Sequence, residues 1–177
     1  MRSRAVLTVS VVSCLVAVLV VGCVSVQGNK SADRSASLAS SQDRNQLLAD
    51  RGLNKDYRAY SGIKPTILRG DFDGDSREDV AVMVQEEASK KIGFIIMAAN
   101  GSNYVVGAGH TFGNGGDDFT WMDDWEIHKK SESVRPGFGE GEPPKLKGDA
   151  IYAVKKESAS CIIYYDGDDF KWYQQAD

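Results

Sequence analysis

Cysteine is scarce in this chain. Its 177 residues hold three: Cys14 inside an apolar N-terminal run, Cys23 at the end of that run, and Cys161 alone in the body. One body cysteine excludes an internal disulfide framework. Cys161 sits in the apolar run Cys161-Ile162-Ile163, with no sequence feature that points to a base beside it, so a small buried strand residue is expected. Histidine is scarcer still. His110 and His128 have no matched spacing, and the mixed His and Cys ligand sets of most catalytic metals are missing. No G-x-S-x-G is present, nor a glycine loop running into Lys-Ser or Lys-Thr, which removes the nucleophile-elbow and P-loop signatures. Positive charge is in deficit: 21 Lys and Arg stand against 25 Asp and Glu, a formal net charge of -4. Arg2 and Arg4 belong to the N-terminal run, so the rest of the chain sits near -6. That balance speaks against nucleic acid, which requires clustered Lys and Arg, and against attraction to anionic lipid.

What is present starts at the N-terminus. Met1-Arg2-Ser3-Arg4 is a positive segment, Ala5 to Val21 is almost wholly apolar, and Val20-Val21-Gly22-Cys23 follows. The stretch resembles the bacterial lipobox, in which a small residue before the cysteine gives a peptidase access to the bond and the cysteine thiol accepts lipid. The resemblance implies a signal peptide over 1–22, cleavage before Cys23 and lipidation of Cys23. Several acyl chains on one cysteine anchor stably where a single chain is marginal. Val24 stands where enteric bacteria place an inner-membrane retention Asp, so the resemblance implies the outer membrane, facing the periplasm. An uncleaved signal anchor is the alternative, because Ala5 to Val26 nearly spans a bilayer. A plain anchor has no reason to end in Gly-Cys. Residues 23–42 are rich in Ser, Ala and polar side chains and read as a lipidated cysteine with a flexible tether. Residues 43–177 are long enough for one domain with a core and too short for two.

Asp43 to Arg51 predicts a short helix, with Ser41 as its cap and Gly52 as its stop, and with Leu47, Leu48 and Leu53 facing the domain. Tyr57 and Tyr60 read as loop. Strands are expected at 66–69, 79–85, 92–98, 104–106, 125–129, 149–155, 160–165 and 170–174. The second of these is apolar on both faces, as central strands are. Asn100-Gly101 is a tight-turn pair. Long loops lie at 107–124, rich in Gly and Asp, and at 131–147, which holds three of the four prolines. The fold class is therefore α+β: a mainly antiparallel β-sheet in meander order, a short N-terminal helix and long irregular loops. No period of 20 to 50 residues recurs, which speaks against a propeller.

The candidate site is Gly70 to Asp79. Asp71, Asp73 and Asp75 alternate along a loop that Gly74 lets curl, and Asp79 follows immediately before the apolar strand Val80-Ala81-Val82-Met83-Val84. Calcium takes six to eight oxygens, several of them carboxylates, from a sharply turning backbone. With the carbonyl of Arg77 added, the metal ligands read Asp71, Asp73, Asp75, Arg77 and Asp79, binding one structural Ca²⁺. The order is not that of an EF-hand, since Ser76 and Val82 stand where that loop needs Gly and Glu. It resembles the DxDGDxxxD loop of FG-GAP and integrin-type repeats, whose calcium ligands match Asp71, Asp73, Asp75 and Asp79. There is one copy, and Ser76 replaces a frequent second Gly.

Asp117, Asp118, Asp123, Asp124 and Glu126 form a second acidic stretch beside Phe119, Trp121 and Trp125. Carboxylates near indoles suit sugar binding, or glycosidase work by an acid and a base. The domain also resembles small bacterial periplasmic lipoproteins of unassigned function. The shared segments are Gly70 to Val82, Gly148-Asp149-Ala150-Ile151, Glu157-Ser158-Ala159-Ser160 and Tyr164 to Gln174. The reading that emerges is a lipid-anchored envelope protein with a non-enzymatic binding or structural role, a protein or glycan partner, and one Ca²⁺. The alternative is an envelope glycan hydrolase using the carboxylates of the 117–126 loop.

Overall fold

The computed structural model describes residues 41–137 and 141–176. The leader, Cys23 and the tether up to residue 40 lie outside the described residues. No helix among the described residues is long and apolar enough to cross a membrane.

The helix α1 spans Ser41–Asp50. Ser41 thus lies within the helix rather than capping it. Gly52 is its stop: it adopts φ +71°, its amide bonds the Ala49 carbonyl at 2.9 Å, and the Leu53 amide bonds that of Leu48 at 2.8 Å. Those two bonds make a Schellman ending, which glycine permits because it lacks a Cβ. Leu48 is fully buried, with Leu47 and Leu53 packed at its side.

Among the described residues, nine antiparallel strands form two sheets. The first sheet holds β1 (Tyr57–Ala59), β2 (Ile67–Gly70), β3 (Asp79–Glu86), β4 (Ile92–Met97) and β5 (Asn103–Gly107). β1 and β2 lie end to end along the same edge of β3, and β4 takes its other edge. β3 is therefore central, as its two apolar faces require. The segment Tyr57–Ala59 read as loop from sequence because three residues with Arg58 in the middle carry no strand pattern; pairing to the end of β3 makes it a strand. The second sheet is the meander β6 (Asp124–His128), β7 (Ala150–Lys155), β8 (Ala159–Tyr165) and β9 (Phe170–Ala176).

The alternation of each strand decides which layer it joins. Ala81, Met83, Phe94 and Ile96 from the first sheet meet Trp125, Ile151, Ala153, Cys161 and Ile163 from the second in the main core. The fold is therefore a two-sheet sandwich rather than one continuous sheet. Phe94 stacks at 5.1 Å from Trp125 and edge-on to Phe119 at 5.9 Å. The Trp125 indole also donates to the Pro65 carbonyl across the sandwich. Val82, Val84, Ile95 and Met97 face the other way, under α1. Ala150, Ile162 and Tyr173 on the outer face of the second sheet are covered by Val134 and Leu146 of the proline-rich loop. Cys161 is a free, buried thiol, and burial pushes its pKa far up.

Candidate functional site

Register builds the acidic loop. β2 and β3 pair Gly70 with Asp79, so the residues between them must fold back over the sandwich edge. Asp79 is fully buried. Its Oδ2 accepts the Phe72 amide at 2.8 Å and the Asp73 amide at 3.2 Å, and its Oδ1 accepts the Ala99 amide at 2.8 Å. Three donors replace the water that burial removed. Asp79 thus buckles the loop and ties it to the turn between β4 and β5.

Asp71 and Asp73 converge on the same point. One carboxylate oxygen from each of Asp71, Asp73 and Asp79 lies within 4.8 Å of the others. Oxygens on opposite sides of a calcium ion stand about 4.6–5.2 Å apart, twice its bond length. The three aspartates could therefore hold a metal ion. Asp71 Oδ2 accepts the Ser76 amide at 3.1 Å, while its Oδ1 is enclosed and has no hydrogen-bond partner. An enclosed carboxylate oxygen without a donor is an unmet group of the kind a cation satisfies. Asp73 accepts the Asp75 amide at 3.1 Å and the Asn100 amide group at 3.0 Å. Burial raises the pKa of its carboxyl against the pull of the Asp75 amide, and the carboxylates of Asp79, Asp75 and Asp71 raise it further.

The Asp75 carboxylate does not join this group. The Asp75 carboxylate accepts from Arg77 Nε at 2.8 Å and from its own-loop amide at Arg77, also 2.8 Å. The Arg77 guanidinium holds the Asp75 carboxyl below its ordinary pKa. The pair is exposed, so its net worth is small. Ser76, between them, adopts φ +68°, the left-handed region for which glycine is the default.

The loop is shored up from a distance. The Asp149 amide bonds the Asp71 carbonyl at 2.6 Å, and a Cβ on buried Gly148 would collide with that carbonyl. Asp149 in turn pairs with Lys129 at 2.8 Å and accepts the Lys130 amide at 3.1 Å. Burial works against ionising Asp149, but these partners hold its pKa below the ordinary value. Sequence reasoning missed Asn100 and Asp149 as parts of this site. Asn100 had registered as a turn residue, and Gly148-Asp149 as part of a family segment, without a signal that either meets the loop.

The second acidic stretch is spent on local structure. Asp117 pairs with Lys91. Asp118 accepts the Ile92 amide at 3.0 Å and the Thr120 amide at 3.1 Å, capping the 3₁₀ turn Phe119–Trp121. Asp123 accepts the Lys156 amide at 2.9 Å and Asp124 the Trp125 amide at 2.9 Å. Glu126 stands apart from these four, in a shallow outer cleft with His128 and Glu132. His128 Nδ1 lies 3.6 Å from Glu132. His110 is exposed and meets the Tyr57 hydroxyl at 3.1 Å.

Comparison with known proteins leaves the site to be judged on its own geometry: no protein-family model, no curated protein and no solved structure matches the chain.

Proposed function

We propose that this chain is a lipid-anchored bacterial envelope protein with a non-catalytic binding or structural role, stabilised by one calcium ion at the acidic loop. The observation that carries the ion is the enclosed, unpartnered Oδ1 of Asp71, set beside the carboxylates of Asp73 and Asp79. Asp71, Asp73 and Asp79 would hold the ion, with Asp75 and the Arg77 carbonyl completing its shell once the exposed Asp75–Arg77 pair opens. Calcium suits a loop of uneven reach, whereas magnesium demands a near-ideal octahedron and keeps its water. When bound, the ion supplies charge neutralisation and ties the β2–β3 hairpin to the β4–β5 turn through Asp73 and Asp79. Lipid anchoring rests on Val20-Val21-Gly22-Cys23.

The non-catalytic reading rests on how the 117–126 carboxylates are used. Four of the five are engaged with an amide or an ammonium group, so they are not poised as a free acid and base across a cleft. The test is thermal unfolding with calcium and with chelator. Calcium is expected to raise Tm, and Asp73→Ala to abolish the rise. No change with either addition would remove the ion. Mass spectrometry of the mature N-terminus is expected to show a triacylated Cys23; an unmodified Cys23 in an intact chain would remove the anchor.

A further inference from the structure

One cleft on the molecule has a lining that neither the acidic loop nor the core explains. It lies between the glycine-rich loop and the β7–β8 turn, has a volume of about 270 Å³, and is walled by Trp121 and Trp172. Both indoles are half-buried. Their centroids are 6.0 Å apart and their planes cross at 68°. Around them stand Asn114, Lys155, Ser158 and Gln174.

We propose that this cleft binds a saccharide unit, with acidic sugars favoured. This rests on the non-catalytic binding reading above and names the ligand class. A sugar ring has an apolar C–H face and a rim of hydroxyls, so it needs an aromatic platform and convergent hydrogen-bonding groups. The cleft supplies both. The side chains of Asn114, Lys155 and Ser158 make no hydrogen bond or ion pair with any described residue, so they are open to a ligand. No branched aliphatic side chain lines the cleft, and an acyl chain there would leave those polar groups unpaired at a cost. No carboxylate lines it either, so a cationic ligand would find no counter-charge and a bound glycan no acid–base pair. Lys155 is the one charged lining residue, which favours a carboxylate-bearing sugar. The volume lies just below the roughly 300–1,000 Å³ usual for ligand clefts, which suits a short stretch of a glycan rather than a large cofactor.

The walls are held before any ligand arrives. The Trp121 indole donates to the Gly115 carbonyl at 3.0 Å, and that of Trp172 to Gln174 at 2.9 Å. Gly113 and Gly115 lie so close against Trp172 that a Cβ on either would strike it. The glycines of this loop therefore let the backbone lie flat on an indole. Fixed aromatic walls spare a ligand the entropic cost of ordering them.

The experiment is calorimetric titration of the full chain, with tryptophan emission as a second readout, against cellotetraose, chitotetraose and tetragalacturonate. Tetragalacturonate is expected to bind most tightly. Trp121→Ala is expected to weaken it about tenfold, the scale of one lost stacking contact. Asn114→Ala and Lys155→Ala alter exposed, unpartnered side chains, so Tm stays unchanged while affinity falls, for Lys155→Ala only toward the acidic sugar. Binding of none of the three sugars, with the calcium shift intact, overturns the saccharide site and leaves the non-catalytic reading standing. Binding that survives both Trp121→Ala and Asn114→Ala overturns it as well. Cleavage of a bound sugar would instead support the site and overturn the non-catalytic reading.

Discussion

The Asp79 carboxylate accepts the backbone amide of Ala99 at 2.8 Å, joining the first residue of β3 to the turn after β4. With the Phe72 and Asp73 amides on its other oxygen, this one fully buried side chain ties β3 to two other stretches of backbone. Asp79→Ala leaves all three donors without a partner, at roughly 1–3 kcal/mol each. The expected loss is at least about 3 kcal/mol in urea unfolding, with or without calcium. A loss under about 1 kcal/mol would mean the amides find other acceptors.

Asp73 should behave in the opposite way. Its carboxyl has a raised pKa from burial and neighbouring carboxylates, so its ionisation opposes folding. The stability it contributes is fully present below the ordinary value of 3.8 and is lost as pH rises through its folded value. Asp73→Asn is therefore expected to leave calcium-free stability at neutral pH unchanged or higher, and to erase the calcium-induced rise in Tm. Protonation of Asp73 should likewise shrink that rise as pH falls through its raised folded value. A calcium increment that is flat from neutrality into acid would exclude Asp73 as a ligand.

Asp149 carries the reverse sign. Its depressed pKa comes from Lys129 and nearby amides acting against burial, so its contribution is present above 3.8 and lost as pH falls through its lower folded value. Lys129→Met should flatten the acid limb of the stability profile. An unchanged acid limb in that variant would show that the pair is not coupled to folding.

Ser76 holds φ +68° in an exposed loop. Ser76→Gly is expected to be neutral or slightly stabilising, because relief of a left-handed backbone offsets the extra freedom of the unfolded chain. Ser76→Val should cost about 1–2 kcal/mol, since a branched Cβ is worst in that region. Equal stability of the two variants in chemical denaturation would argue against a left-handed Ser76.

Gly93 faces Gly107 across β4 and β5, and a Cβ on Gly93 would meet the backbone of Val106 and Ala108. Backbone cannot swing aside as a side chain can. Gly93→Ala is expected to destabilise by about 1–3 kcal/mol in thermal or urea unfolding. A Tm within a degree of the parent would show slack between these strands.

Much of this architecture was legible in the sequence where the pattern is local. The runs that became β3, β4 and β8 are long, apolar and bounded by turns, so their position and type follow from pattern alone. Gly52 was legible as a helix stop for the same reason. The division into two sheets was not, because alternation states which residues share a face and not which sheet that face meets. In the acidic loop, spacing picked out Asp71, Asp73 and Asp79 correctly as neighbours. It could not foresee that Arg77 would take the Asp75 carboxylate, since rotamers and loop curvature decide that choice. Nor could it place Asn100 or Asp149, which reach the loop only through tertiary packing. The strand expected at 170–174 holds Trp172; that Trp172 meets Trp121 depends on the glycine loop lying flat against it.

The strand order has a kinetic consequence. Every strand of each sheet pairs with a sequence neighbour, save that β1 and β2 share an edge of β3, and no strand of one sheet is hydrogen-bonded to the other. Sandwiches built from Greek keys must close long loops before their pairings form. Here most pairings close short turns, but β6 reaches β7 only across the long loop between His128 and Ala150, and β1 reaches β3 only across β2. The β6–β7 pairing and the docking of the two layers are therefore the steps expected to limit refolding, because closing long loops comes before the contacts that reward it.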